Sequence, residues 1–421
     1  MSVLWTDALL ESGKDVRIVA ERKHRYRRLL LAFLIFALFG GSVWGYWYLR
    51  DSVPDKIYVD REEGPGLEPL TDHPLVTFSE DLEVFRGSSY EAECSIMGVL
   101  PLKTVQVEAA ERPVVQVCGA PIGIYMETEG VLIVDAGEIR TSDGSLTRPA
   151  ENIVKAGDYI RKVDGRNLEN KQELMDLVAG SGGEDMVLEV WRQGETVDLE
   201  LTPVQDENGS FKLGIWVRDN IQGIGTLTYV DSSGGFGALG HGISDVDVGE
   251  ILQADGGKLY QADILSVVKG QDGVPGELKG VIRYYPEEQI GEIRSNSGVG
   301  IYGTLSKQGL SKLPLRQAEV GWKQEVREGP ASILCMAGGT LKEYEIQITA
   351  IHWDQQDTNK CFTIQVTDPE LLELTGGIVQ GMSGSPILQD GRLIGAVTHV
   401  FVSDAASGYG VFIENMLEAA G

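Results

Sequence analysis

The run LLLAFLIFALFGGSVWGYWYL, Leu29–Leu49, is 21 residues without a formal charge, and a helix of that length crosses roughly 30 Å of hydrocarbon. It predicts a transmembrane helix. Arg22, Lys23, Arg25, Arg27 and Arg28 stand just before it and Arg50 just after. The positive-inside rule therefore places residues 1–28 in the cytoplasm and residues 51–421 outside. Trp44, Tyr46, Trp47 and Tyr48 would lie at the outer interface, where amphipathic rings collect. A cleaved signal peptide would show a shorter apolar region and a small-residue cleavage site, and no such site follows.

Beyond residue 50 the chain holds 28 basic against 59 acidic residues, a net charge of −31. So acidic a surface has nothing with which to neutralise phosphates, which argues against nucleic acid as a partner. Cys94, Cys118, Cys335 and Cys361 show no C-x-x-C spacing, and the five histidines, at 24, 73, 241, 352 and 399, show no helical H-x-x-x-H spacing. Neither a metal nor another cofactor is expected. The cysteines read as small buried apolar residues rather than as two disulfides. Residues 50–74, rich in Pro and charge, read as an extended linker. Residues 75–117 read as a small β element carried by alternating runs such as KTVQVEA.

Residues 118–204 combine short strands with one helical stretch, KQELMDLVAG. Asn170, with Glu173 three residues on, starts that helix as a capping box would, and Leu174, Leu177 and Val178 give it one apolar face. AGDYIRKVDGRNLENKQELMDLV resembles the strand, turn and groove-side helix of a PDZ domain, and PIGIYM resembles its carboxylate-binding loop. By that resemblance the backbone N–H groups of Ile122, Gly123 and Ile124 would hold a peptide C-terminus while the peptide adds a strand to the sheet.

Residues 206–421 are punctuated by glycine and rich in alternating runs such as GIGTLTYV, YEIQITAI and CFTIQVT, the pattern of a sandwich or closed barrel. The expected fold class is thus mainly β: a transmembrane helix, a PDZ-like domain, then a barrel. Within the last part, QGMSGSPI, residues 380–387, departs from the G-x-S-x-G elbow because its fifth position is Ser385. It resembles instead the nucleophile turn of chymotrypsin-like serine peptidases. Gly381 and Gly384 permit a sharp turn whose N–H groups converge, as an oxyanion hole requires. Ser383 is then the nucleophile, the N–H groups of Gly381 and Ser383 form the hole, and Ser385 caps the turn.

A serine needs a base. GALGHGISDVDVG supplies His241 in a glycine-wrapped loop, whereas His399, in the apolar strand GAVTHVFV, reads as a packed core histidine. Asp245 and Asp247 lie near His241 in the chain and are, on sequence alone, more obvious acids for it than Asp368; if Asp368 takes that role they are solvated or turn-forming.

ALGHGISDVDVG, GGIVQGMSGSPILQDGRLIGAVTHVFV and SGYGVFIENM together resemble the stage IV sporulation protein B family of membrane-anchored serine peptidases, over nearly the whole chain. The resemblance implies Ser383 as nucleophile, His241 as general base and Asp368 as the acid that orients the imidazole. It also implies an enzyme in the forespore inner membrane, facing the intermembrane space. Its substrates would be the ectodomain of a membrane regulator of an intramembrane protease, and the enzyme itself. Two other readings compete: an anchored PDZ adaptor with an inactive peptidase-like domain, and an HtrA-like stress peptidase.

Overall fold

The computed structural model describes residues 3–60, 75–78, 89–244, 251–252, 254–271, 273–353 and 358–421. The chain divides into two compact units, residues 1–110 and 111–421.

In the first unit a single helix runs Val3–Asp51, and its segment Tyr26–Asp51 is long and apolar enough to span a membrane, with a mean hydropathy of 2.0. Apolar side chains such as Phe33, Phe36 and Phe39 stand exposed along it, as lipid-facing residues would. The helix does not end in a free tether. Leu49 and Val53 are buried in one core with Ile57, Val59, Cys94, Val105 and Val107. KIYVD, expected to be linker, forms the strand Lys56–Asp60, paired in parallel with Leu100–Ala110. Its physical cause is the alternation of Ile57 and Val59, two β-branched residues facing one apolar layer. The sheet is completed by Ser89–Ile96 and Val76–Phe78. The remainder of the expected linker, 61–74, lies outside the described residues.

The second unit is built from strands, as the alternating runs predicted. Strand Pro121–Ala136 is 16 residues long and pairs with Ile215–Val230 from Ala136↔Ile215 down to Pro121↔Thr226. One end of this ribbon belongs to one core and the other end to a second. Ile122, Ile124 and Met126 pack with Leu227, Phe236, Leu259, Ile293 and Ile301. Val131 and Ile133 pack with Ile160, Leu174, Val178, Leu188 and Leu201. In sequence the PDZ-like layer is inserted between the two strands of this ribbon, and its strands Tyr159–Val163, Met186–Arg192 and Glu195–Leu201 continue the sheet outward from Pro121–Ala136.

Its helix, Lys171–Gly180, starts as predicted. Asn170 Oδ1 accepts from Glu173 N at 3.0 Å, and Leu174 and Val178 are buried; such a cap stabilises a helix by about 1 kcal/mol. In the same layer Asp158, fully buried, takes Arg192 Nε and Nη2 at 2.7 Å each, the paired geometry that makes a buried charge tolerable.

These pairings correct one expectation. Ile122, Gly123 and Ile124 do not form an open carboxylate loop. They pair with Gly225, Ile224 and Gly223 on one edge and with Gln261, Tyr260 and Leu259 on the other, and Ile122 and Ile124 are buried. A strand whose N–H groups face neighbours on both edges has none to offer a peptide.

The C-terminal part is a closed barrel of six antiparallel strands: Gly329–Cys335, Lys342–Ile351, Phe362–Val366, Asp404–Phe412, Arg392–Phe401 and Pro386–Gln389. Tyr344, Phe362, Ile364, Ile387, Val397 and Val411 fill it. All four cysteines are buried and unpaired, and burial pushes the Cys335 and Cys361 thiols up to about 11.

Candidate active site

The turn 380–385 connects the helix Pro369–Thr375 to the barrel strand Pro386–Gln389. Gly381 has φ of +96° and Gly384 φ of +93°, a backbone region in which a side chain is strained. Crowding adds a second reason at Gly384, where a Cβ would meet Thr226 O at 2.2 Å and Leu239 N at 2.5 Å.

Strand Ile215–Val230 fixes the turn by its carbonyls. Thr226 Oγ1 donates to Gly381 O at 2.8 Å, Thr226 N to Ser383 O at 2.9 Å, and Thr228 Oγ1 to Gly384 O at 2.8 Å. Both threonines are buried. On the approach side, Gln380 N donates to Gly276 O and Leu278 N to Gln380 O, tying the turn to strand Glu277–Ile282. Among the described residues no backbone carbonyl accepts from the N–H groups of Gly381 or Ser383, the two expected to form the oxyanion hole.

Ser383 is half-buried, and its Oγ donates to Thr398 O at 2.9 Å. Gly384 N donates to Val397 O at 2.8 Å. His241 arrives at the same short segment from the other side. A Cβ on Gly240 would stand 3.0 Å from Thr398 Cγ2 and 3.3 Å from Val397 O, and the His241 ring lies 5.0 Å from that of His399, centroid to centroid, tilted by 36°. Ser383 and His241, 142 positions apart in the chain, are therefore both placed against the strand segment Val397–His399. His399, expected in the core, stands half-buried at this site.

His241 Nδ1 lies 2.8 Å from Gly242 O. A carbonyl accepts only, so Nδ1 carries the proton and Nε2 keeps its lone pair, the tautomer of a general base. Burial lowers the imidazole pKa below its usual range, and the Gly242 carbonyl opposes this in part. At neutral pH the ring is uncharged. Two effects of one sign follow. In acid the unfolded chain takes a proton that the folded site resists, so stability falls as pH drops through the usual imidazole range. The acidic limb of kcat/KM, measured from pH 4 to 9, is expected below about pH 6.5; a limb above pH 7 would contradict it.

Asp368 stands at the start of the helix Pro369–Thr375. Its Oδ1 accepts from Glu370 N at 2.9 Å and Leu371 N at 3.0 Å, and its Oδ2 from Glu345 N at 3.3 Å. This is a helix cap, and neither oxygen is bonded to the imidazole whose orientation it was expected to set. Asp368→Asn keeps the Oδ1 acceptor. The expected outcome is a loss of stability under about 1 kcal/mol and a kcat within a few-fold of the parent, whereas an orienting acid would lose about 10⁴-fold. Steady-state kinetics of the variant distinguishes them. Asp245 and Asp247 lie outside the described residues.

Ser385, expected to cap the turn by its hydroxyl, is fully buried. The turn closes through its backbone instead, Ser385 N to Met382 O at 2.9 Å and Val397 N to Ser385 O at 3.0 Å. Sequence reasoning also missed Thr226 and Thr228. The available signal was polar β-branched residues on one face of GTLTYV, next to an otherwise apolar strand.

A closed β-barrel that presents a glycine-turned serine beside a histidine loop, with a PDZ layer in the same unit, defines the class: a chymotrypsin-like serine endopeptidase carrying a PDZ domain. Residues 148–192 match the PDZ domain family. Residues 209–417 match the SpoIVB peptidase S55 family, and the two matches together are those of a SpoIVB-type peptidase with a PDZ domain.

Among solved structures the chain is similar, over 21% of its length at 21% identity, to 87% of the PDZ domain of an SdrC-like protein from Listeria monocytogenes, with a TM-score of 0.17. Over 48% of its length at 15% identity it is similar to 75% of the active form of the Rv3671c protease from M. tuberculosis, with a TM-score of 0.26. Over 72% at 12% identity it is similar to 64% of the HtrA-type protease AlgW with a decapeptide, with a TM-score of 0.28. No curated protein matches the chain.

Proposed function

We propose that this serine endopeptidase works outside the cytoplasm in sporulation signalling. It is anchored by the helix Tyr26–Asp51 with its N-terminus inside, in the forespore inner membrane facing the intermembrane space. Its substrate is the ectodomain of a membrane regulator of an intramembrane protease, and it also cleaves itself. The observation that carries the reading is that Ser383 and His241 both lie against one strand segment, Val397–His399.

Ser383 Oγ leaves its bond to Thr398 O, gives its proton to His241 Nε2 and attacks the peptide carbonyl. The N–H groups of Gly381 and Ser383 receive the oxyanion. His241, now protonated, donates to the leaving amine. The Gly242 carbonyl holds the imidazole tautomer throughout. The PDZ layer offers a site for the tail of a peptide, by a surface other than Ile122–Ile124. The basic residues preceding the anchor support the stated topology.

The test is cleavage of a purified candidate regulator ectodomain by the full-length protein in detergent, beside its Ser383→Ala form. Discrete fragments from the parent alone support the reading. Binding without cleavage by either form would make the protein an adaptor.

A further inference from the structure

Asn296 stands near the end of strand Gln289–Ser297, far in sequence from the histidine loop. Its side-chain amide makes three hydrogen bonds, all to that loop. Oδ1 accepts from Ile243 N at 2.8 Å, while Nδ2 donates to Ile243 O at 2.9 Å and to Leu252 O at 3.1 Å. Ile243 directly follows Gly242, whose carbonyl meets the imidazole. Leu252 belongs to the returning limb, and Leu252 N in turn donates to Ile243 O at 2.9 Å. One amide therefore clasps both limbs at the base of the loop. The same strand also backs Gly242 itself, where a Cβ would stand 2.6 Å from Ser297 O.

We propose that Asn296 is a positioning residue for the peptidase reaction: by gripping Ile243 on both its N–H and its carbonyl, it fixes the peptide unit that presents the Gly242 carbonyl to His241 Nδ1. The inference rests on the reading of His241 as the base and adds what holds that base in register. Only a side chain with an acceptor and two donors in one plane makes this set. Asp offers no donor and would turn a carboxylate towards two carbonyls; Leu offers neither function. A main-chain carbonyl touches the ring, and a side-chain amide holds that carbonyl in place. A shift of about 1 Å in such a group is enough to cost roughly 100-fold in rate.

The experiment follows the rate at which a fluorophosphonate probe phosphonylates the full-length protein in detergent. The bond from Ser383 Oγ to phosphorus forms as fluoride leaves. Rates are taken from pH 4 to 9 for the parent, Asn296→Ala and Asn296→Asp, with thermal unfolding measured on the same samples. The expected result is a fall of roughly 10- to 100-fold in both variants at an unchanged folded fraction. The acidic limb in Asn296→Ala should also move up towards the usual imidazole range, because the loosened ring gains water. The His399 ring is common to all three proteins.

Parent-like rates with an unmoved limb in both variants overturn the inference. So does faster labelling of Asn296→Asp, which would mark the position as the seat of an acid for the imidazole. A loss of label that merely tracks the folded fraction also overturns it, and Asn296→Asp, nearly isosteric with the parent, supplies that comparison if Asn296→Ala does not fold. A parent that does not label at all would instead refute the peptidase assignment.

Discussion

Replacing Ser383 by Ala is expected to lower kcat for peptide cleavage by about 10⁶-fold, the size of effect that removal of a serine nucleophile has in other serine peptidases. The fold should survive. The Oγ makes one hydrogen bond, to Thr398 O, and the turn around it is held by the carbonyls of Gly381, Ser383 and Gly384 rather than by this hydroxyl. The stability lost is about 1 kcal/mol. Cleavage of an unfolded protein substrate, with thermal unfolding alongside, measures both. A variant that keeps a tenth or more of the parent rate would remove Ser383 from the mechanism.

Gly384→Ala is the second large effect, and it acts through structure first. The position has φ of +93°, which costs a non-glycine residue about 1–3 kcal/mol. The added methyl would meet two backbone atoms, Thr226 O at 2.2 Å and Leu239 N at 2.5 Å. Neither can rotate away as a side chain can. Forcing the strands apart costs about 1–3 kcal/mol more, and the shift falls on the strand that holds the turn and on Leu239, two residues before His241. Destabilisation by about 3 kcal/mol and near-complete loss of activity are expected together. Denaturant unfolding with the m-value held constant measures the first. A variant as stable and as active as the parent would show that the turn is not held as described.

Local signals in the sequence carried much of the site. QGMSGSPI marked a turn because glycine and proline act within a few residues, and ALGHGIS marked a loop for the same reason. The helix Lys171–Gly180 was visible through Asn170 and its apolar spacing. What escaped was non-local. Nothing in PIGIYM says that its partners are Gly223–Gly225 and Leu259–Gln261, some hundred or more residues away, so a strand with both edges occupied read as a loop with its N–H groups free. The insertion of the PDZ layer between two strands that pair with each other was invisible on the same ground. Asp368 shows the limit of a motif. The residue precedes Pro369 and a short apolar helix, a local setting that selects Asp as a cap, and the structure uses it so. Asn296 carried no signal, since an isolated Asn in SNSGVG reads as turn chemistry.

The central claim is that Ser383, activated by His241, is the nucleophile. The most direct measurement is peptide mass mapping of the full-length protein after reaction with a fluorophosphonate, carried out on the parent and on His241→Ala. The account predicts one adduct, on Ser383, in the parent and its near absence in His241→Ala. An adduct on another residue, or equal modification of Ser383 with and without the imidazole, would contradict it.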